Sequence, residues 1–343
     1  MKVLLITSMY PSPEKKYSGI FVKNQFELLQ KMMREGEQIS IFFLRRKITS
    51  TFGSITKHLV SFFKFIPYLF KSYDVVHLHS FYPLIVTAWL YKIFHPKTKL
   101  VVTFHGMDIN LQVNKKNEKM FRFFAKKIDA AIPVGKEVAK NVTAKLKLPI
   151  AKILPVGVNS AVFYPESDVQ KIYDYLYVGS FFEVKGIDIL YKSIQDLGKE
   201  TRFCIVGNGE EYHKKFTDLI NDGYSIELKK DQSHEQLRSL YNQSKFLVLP
   251  SRSEGFATVI VEAMYCGTPV VTSDIPQFRE QVVENENGFT FPLDNPEKLT
   301  ELLGNLLHIS PSQYQALSLK AKASFKEISL DAVCKELLEI YRS

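Results

Sequence analysis

Apolar residues in this chain occur in two kinds of run: short unbroken blocks, and longer stretches where they recur every third or fourth position. The blocks at Val3–Ile6, Ile39–Leu44, Asp74–Ser80, Leu100–Phe104 and Ile128–Val134 predict strands buried on both faces. After the first block Gly19 opens the stretch IFVKNQFELLQKMM, whose spacing predicts a helix. A second series follows at Tyr175–Gly179, Arg202–Gly207, Ile226–Leu228, Phe246–Leu249 and from Val270 onward. Blocks alternating with helical stretches predict an α/β protein, and the restart predicts two doubly wound, Rossmann-like domains. The last segment, ISLDAVCKELLEIYRS, predicts a helix with Ser329 or Asp331 near its start.

The most informative stretch is Ser253–Val271, SEGFATVIVEAMYCGTPVV. The strand FLVL stops at Pro250, a polar loop follows, and Thr258 is placed to cap a helix. Gly267 supplies the residue past the helix end, and Pro269 blocks continuation before the next strand. In such units ligands bind beyond the carboxyl end of the strand. Glu254 and Glu262 are then placed to face one cavity at different depths, each able to accept two hydroxyl hydrogen bonds. Between them the amides of Gly255, Phe256, Ala257 and Thr258 lie at a helix N-terminus, which favours a phosphate. The alternative is a capping acid and a solvated helix acid. Against it, Glu262 lies in the apolar sequence VIVEAM, where a charge needs a partner.

Composition narrows the classes. The chain has 343 residues, long enough for two sizeable cores, with 45% hydrophobic and 24% charged positions. Its three cysteines, Cys204, Cys266 and Cys334, lack metal-ligand spacing and suit a reducing, cytoplasmic setting. The apolar start MKVLLIT is shorter than an export signal and reads as a first strand, and no apolar stretch is long enough to span a membrane. A net charge of +9 implies anionic partners: nucleic acid, anionic lipid or a nucleotide diphosphate. The turn at Gly19 lacks the three-glycine fingerprint of NAD proteins; Gly19 is either a tight turn with positive φ or a close approach to a ligand. Gly207, in IVGNGEE, is a secure turn and a weak ligand signal. His105 opens HGMD directly at a strand end, whereas His77 and His79, in DVVHLHS, suit supporting roles and have no further metal ligands nearby. Residues 51–71 form a basic amphipathic pattern with Lys57, Lys64 and Lys71. That pattern fits either core packing with solvated lysines or an anionic membrane surface, with Pro67 expected to kink the helix.

SEGFATVIVEAMYCGTPVV resembles the signature of the retaining GT-B glycosyltransferases of family 4, also called glycosyl transferases group 1. The resemblance covers the whole chain, most strongly residues 175–292, and includes DVVHLH, HGMD, KILPVGVNSAVFYP, YVGSFFEVKGIDIL and the segment from Ile275 to Phe289. It implies a GT-B fold with two Rossmann-like domains facing across a cleft. The acceptor side would be residues 1–160 plus a helix of about 326–343 crossing back, and the donor side residues 161–325. Carried over, Glu254 holds the transferred sugar, Glu262 the ribose and Lys185 the diphosphate. His105 stands by the reacting carbon, and Gly19 lets the loop approach the donor. The chain departs from the family at Ser180, where an arginine is usual, and at Val156, Asn159, Pro276 and Gln277. The implied reaction is retaining transfer of a hexose-type sugar from a nucleotide diphosphate sugar, a UDP-sugar first. The acceptor would be a glycan or lipid-linked acceptor in cell-surface polysaccharide or glycoconjugate synthesis. It needs no cofactor beyond the donor substrate and no metal, since no D-x-D occurs. The expected place is the cytoplasm, with a peripheral position on the inner membrane face and no nucleic-acid partner. The rivals are a catalytically inactive homologue that binds nucleotide-sugar as a partner subunit, a two-lobed sugar-binding protein, and a GT-B epimerase.

Overall fold

The computed structural model of the chain describes residues 1–12, 19–44, 63–325 and 328–343. The chain divides into two compact units, Met1–Gly157 with Leu330–Ser343, and Val158–Ser329. RRK at Arg45–Lys47, Lys57 and most of the amphipathic stretch lie outside the described residues.

The first unit runs β1 (Lys2–Thr7), α1 (Ile20–Met32), β2 (Gln38–Phe43), α2 (63–69), β3 (Val75–His79), α3 (Leu84–Phe94), β4 (Lys99–Phe104), α4 (Met107–Asn110), α5 (Glu118–Ala125), β5 (Ala130–Pro133) and α6 (Lys136–Leu146). Its sheet is wholly parallel in the order β2-β1-β3-β4-β5. The unbroken apolar blocks are explained by burial of both faces: Val3, Leu4, Leu5 and Ile6 are all fully enclosed. Strand order reverses between β1 and β3, so the crevice at their carboxyl ends is where this architecture accepts ligands. Gly19, at the mouth of α1, and the loops after β3 and β4 lie at that edge. Helix α2 includes Pro67, and only its Phe65 is fully buried, whereas Phe63 and Phe70 are exposed.

The second unit continues with β6 (Tyr173–Val178), a 3₁₀ turn (Glu183–Lys185), α7 (Ile187–Leu197), β7 (Phe203–Val206), α8 (Glu210–Asn221), β8 (Ile226–Lys229), α9 (His234–Gln243), β9 (Ser244–Leu249), α10 (Thr258–Tyr265), β10 (Val270–Ser273), β11 (Gly288–Phe291), α11 (Glu297–Leu306) and α12 (Pro311–Ala323). The sheet order is β11-β10-β9-β6-β7-β8, again parallel, with the reversal between β6 and β9. Strand β11 has no counterpart among the predicted strands, because the short sequence GFTF carries no apolar block.

Helix α13 (Leu330–Arg342) follows the second unit in sequence and belongs to the first in space. Its apolar positions 330, 333, 334, 337, 338 and 341 recur at helical spacing and pack with Val22, Phe26 and Leu29 of α1 and with β1. Cys204, Cys266 and Cys334 are all buried and free.

Candidate functional site

In the second unit the loop after β6 and the loop after β9 meet at the carboxyl edge of the sheet. Gly186 makes the meeting possible. It has φ +68°, and a Cβ there would lie 1.9 Å from the Pro250 carbonyl oxygen. The Arg252 amide donates to the Val184 carbonyl at 2.9 Å, tying the two loops together. Lys185 thereby reaches Glu254. Its ammonium donates to Glu254 Oε2 at 2.6 Å, and Ser251 Oγ donates to Oε1 at 2.8 Å. Sequence reasoning assigned these two residues to separate parts of a ligand, and the fold makes them one ion pair. The pair keeps spare capacity: the ammonium has three hydrogens, and each carboxylate oxygen can accept a second bond from a hydroxyl.

The start of α10 differs from expectation in two respects. Thr258 is the first helical residue and not the cap; Ala257 holds the cap position without a side-chain hydrogen bond. The Thr258 hydroxyl instead bonds the Glu262 carboxylate one turn on. The Ala257 amide, expected among the free donors, donates to Gln281 Oε1 at 3.2 Å, while Gln281 Nε2 donates to the Ala257 carbonyl at 3.1 Å. Gly255 and Phe256 are half-buried beside them. Gln281 thus clamps the loop whose remaining amides stay at the helix mouth.

Glu262 lies deeper, and Tyr241 of α9 is the partner its apolar setting demanded. The Tyr241 hydroxyl donates to Glu262 Oε2 at 2.9 Å. Burial pushes the Glu262 carboxyl up to about 7, against the opposing pull of the Tyr241 and Thr258 hydrogen bonds. Tyr241 was missed because nothing in QLRSLYNQ marks it; only the neighbouring positions of α9 and α10 bring it to the acid.

Gly207 is explained by packing. A Cβ there would meet the Gly179 carbonyl oxygen at 1.9 Å and the Phe181 ring at 2.6 Å, so the residue lets the turns after β6 and β7 touch. At Ser180, where the family has arginine, the backbone carbonyl accepts the Tyr177 hydroxyl at 2.9 Å. Arg252 lies against the same turn, but its guanidinium is forked onto Asp188 at 2.7 and 2.6 Å and does not stand in for the missing cation.

In the first unit three histidines cluster at the ends of β3 and β4. His105 Nε2 lies 3.2 Å from His79 Nδ1. His77 is held on both ring nitrogens, by Tyr341 Oη at 2.6 Å and by Thr103 Oγ1 at 2.8 Å. Burial holds all three rings below the ordinary histidine range, His77 at about 3, His105 at about 4 and His79 well below normal, so each is neutral at neutral pH. A neutral His105 offers a hydrogen bond and not a positive charge. Asp108, not singled out in the sequence, fixes the position of His105: its carboxylate accepts the His105 amide at 3.1 Å and the Phe81 amide at 2.8 Å. Gly19, with φ +69°, brings its backbone against Met9, where a Cβ would come within 2.3 Å of the carbonyl carbon.

Two parallel sheets, each with its polar cluster at the strand-order reversal, define a GT-B type α/β protein. Sucrose-phosphate synthase from Thermosynechococcus elongatus superposes with a TM-score of 0.80 at 18% identity, over 100% of this chain and 98% of that one. Anabaena HepE in complex with UDP and glucose superposes with a TM-score of 0.78 at 16% identity, over 100% and 99%. Residues 166–323 match the family described as glycosyl transferases group 1, and residues 26–161 match glycosyltransferase family 4. An uncharacterized glycosyltransferase of Methanocaldococcus jannaschii is 32% identical over 243 residues, which is 68% of this chain and 66% of that protein's length. The chain belongs to the group 1 glycosyltransferases.

The raised Glu262 carboxyl has a consequence for stability. Between its ordinary value of 4.5 and about 7 the folded protein binds the proton that the unfolded chain releases, so stability falls as pH rises through that window. Glu262→Gln removes this loss and keeps an acceptor for Tyr241. Its thermal stability relative to wild type should therefore improve from pH 5 to pH 8, by up to about 3 kcal/mol. Parallel melting curves of the two proteins across that range check it.

Proposed function

We propose that the chain is a retaining, metal-independent glycosyltransferase that moves a hexose-type sugar from a nucleotide diphosphate sugar, a UDP-sugar first, to a glycan or lipid-linked acceptor. The observation that carries this reading is the Lys185–Glu254 pair at the mouth of α10. It sets a cation for a departing diphosphate against a carboxylate for sugar hydroxyls, beside helix amides. The UDP and glucose of the HepE complex favour a UDP-sugar donor. In front-face transfer the bond from the anomeric carbon to the diphosphate oxygen breaks, and the acceptor oxygen bonds the same face. The departing phosphate oxygen takes the acceptor's proton. Lys185 and the helix amides stabilise the charge that develops on the leaving group. Glu262 takes the ribose hydroxyls, and His105 serves the transferred sugar through a neutral ring nitrogen. Among the described residues no cluster of three or more His, Cys, Asp or Glu could hold a metal.

The acceptor is proposed to be presented at the cytoplasmic face of an anionic membrane, from a face of the first unit. Along α3, Val86, Trp89 and Ile93 recur at helical spacing, with Val86 46% and Ile93 47% exposed. Trp89 meets Phe123 of α5 at 5.6 Å between ring centroids, and Phe123 and Met120 are also exposed. Exposed Lys115, Lys116, Lys119, Lys126 and Lys127 border these residues, while the nearby acids Glu118 and Asp129 are paired with Arg122 and Lys92. An apolar strip edged by unopposed cations is the pattern that seats on anionic headgroups. Among the described residues no helix is long and apolar enough to cross a membrane.

Three measurements test these readings. UDP-glucose, if it is the donor, should raise the melting temperature and release UDP slowly without acceptor, with or without EDTA. Stabilisation without release identifies the inactive homologue, and loss of release in EDTA restored by magnesium or manganese overturns metal independence. Lys185→Ala should lower transfer about 10²- to 10³-fold, as loss of an oxyanion-type contact does. Since Lys185 and Glu254 are hydrogen-bonded, the double variant with Glu254→Gln should lose less than the product of the single losses. Trp89 is the only tryptophan in the chain, so intrinsic fluorescence reports membrane docking directly. A blue shift on adding phosphatidylglycerol vesicles, absent with phosphatidylcholine and reversed by salt, is expected.

A further inference from the structure

Three side-chain polar atoms in the first unit, Gln25 Oε1, His79 Nε2 and Gln112 Oε1, are buried without a hydrogen-bond partner among the described residues, and two of them line one cavity. Gln25 Oε1 on α1 and His79 Nε2 on β3 are those two atoms. Their residues are 6% and 2% exposed. The cavity is bounded by Gln25, His79, Thr103 and His105, with an apolar remainder that includes Phe21 and Leu337, and has room for one water molecule. A buried polar group left unpaired carries its full desolvation penalty, so two orphaned atoms facing one small cavity point to a shared partner.

The hydrogen-bond directions around the cavity follow from its far end. The Tyr341 hydroxyl touches only His77 Nδ1 among the described residues, so its hydrogen must go there. A neutral His77 then carries its hydrogen on Nε2 and donates to Thr103 Oγ1. That leaves the Thr103 hydroxyl hydrogen seeking an acceptor. Gln25 Oε1 can only accept. We propose that a single buried water accepts from Thr103 and donates to Gln25 Oε1 and His79 Nε2. This completes a directed chain from Tyr341 through His77, Thr103, water and His79 to His105. Three hydrogen bonds is the usual complement of such a water. With Nε2 accepting, His79 must donate from Nδ1 to His105 Nε2, and a neutral His105 is left with its hydrogen on Nδ1. His79 and Gln25 are thus positioning residues that make His105 present a donor, not an acceptor, at its free ring nitrogen. The use of that donor on a sugar rests on the glycosyltransferase reading; the tautomer does not.

The test needs no sugar. Full-length protein labelled with ¹⁵N-histidine, with His105 signals identified by their loss in His105→Asn, should show a bare Nε2 and a protonated Nδ1 on His105. A crystal structure should show an ordered solvent peak within about 3.2 Å of Gln25 Oε1, Thr103 Oγ1 and His79 Nε2. Gln25→Met fills the cavity and expels the water, and should turn the single His105 tautomer into a mixture. A protonated Nε2 on wild-type His105, or a crystal structure without that peak, overturns the proposal. So does a folded Gln25→Met protein with an unchanged His105 spectrum. Should the variant fail to fold, the wild-type spectrum and solvent peak still decide. A correct tautomer in a protein that releases no UDP from UDP-glucose would sink the functional reading alone.

Discussion

A parallel sheet covered on both faces leaves polar chemistry nowhere to go but the ends of its strands, and this constraint orders both halves of the molecule. In each unit strand order reverses once, between β1 and β3 and between β6 and β9, and the loops leaving those strands splay apart. The first unit places His79 and His105 there, and the second places Lys185 and Glu254. Neither cluster comes from neighbouring residues: Lys185 and Glu254 are 69 positions apart, and His79 and His105 are 26 apart. Sheet pairing brings them together, and glycines at tight approaches, Gly186 above all, allow the last few ångströms.

The two clusters handle charge in opposite ways. Lys185 and Glu254 are partly solvated and stay as an ion pair, which a charged and hydroxylated ligand can enter by exchanging partners. Glu262 and the histidines are enclosed, and burial drives them toward their neutral forms. A neutral group can hold a hydroxyl by hydrogen bonding without the desolvation penalty of a full charge. The enclosed groups are therefore suited to orientation, and the ion pair to electrostatics.

The strands were legible because burial on both faces writes unbroken apolar blocks, and β11 was not because its four residues carry no such block. The Glu254 and Glu262 motif and Lys185 were visible as chemistry, yet their pairing was not, since no local pattern records which loops touch. Thr258 read as a cap because its residue type favours that position, while the fold spends its hydroxyl on Glu262. Tyr241 and Gln281 were illegible for one reason: each acts on a residue from another element, and only the three-dimensional order of helices and strands makes the introduction. Asp108 stands inside HGMD, three residues from His105, but the motif does not show that its carboxylate turns back to the His105 amide.

The last helix gives the molecule an order of completion. The ribosome delivers the strands of the first unit, then the entire second unit, and only then α13, whose residues close the core over α1 and β1. Tyr341 meets His77 across 264 positions. A nascent chain thus carries a finished second unit while the first still has an open apolar groove and a His77 whose Nδ1 lacks its Tyr341 partner. The Tyr341–His77 contact forms last, so a chain interrupted near its end keeps the Lys185–Glu254 pair but lacks the closed first unit. The groove that α13 fills is therefore apolar surface left open until synthesis reaches the last helix.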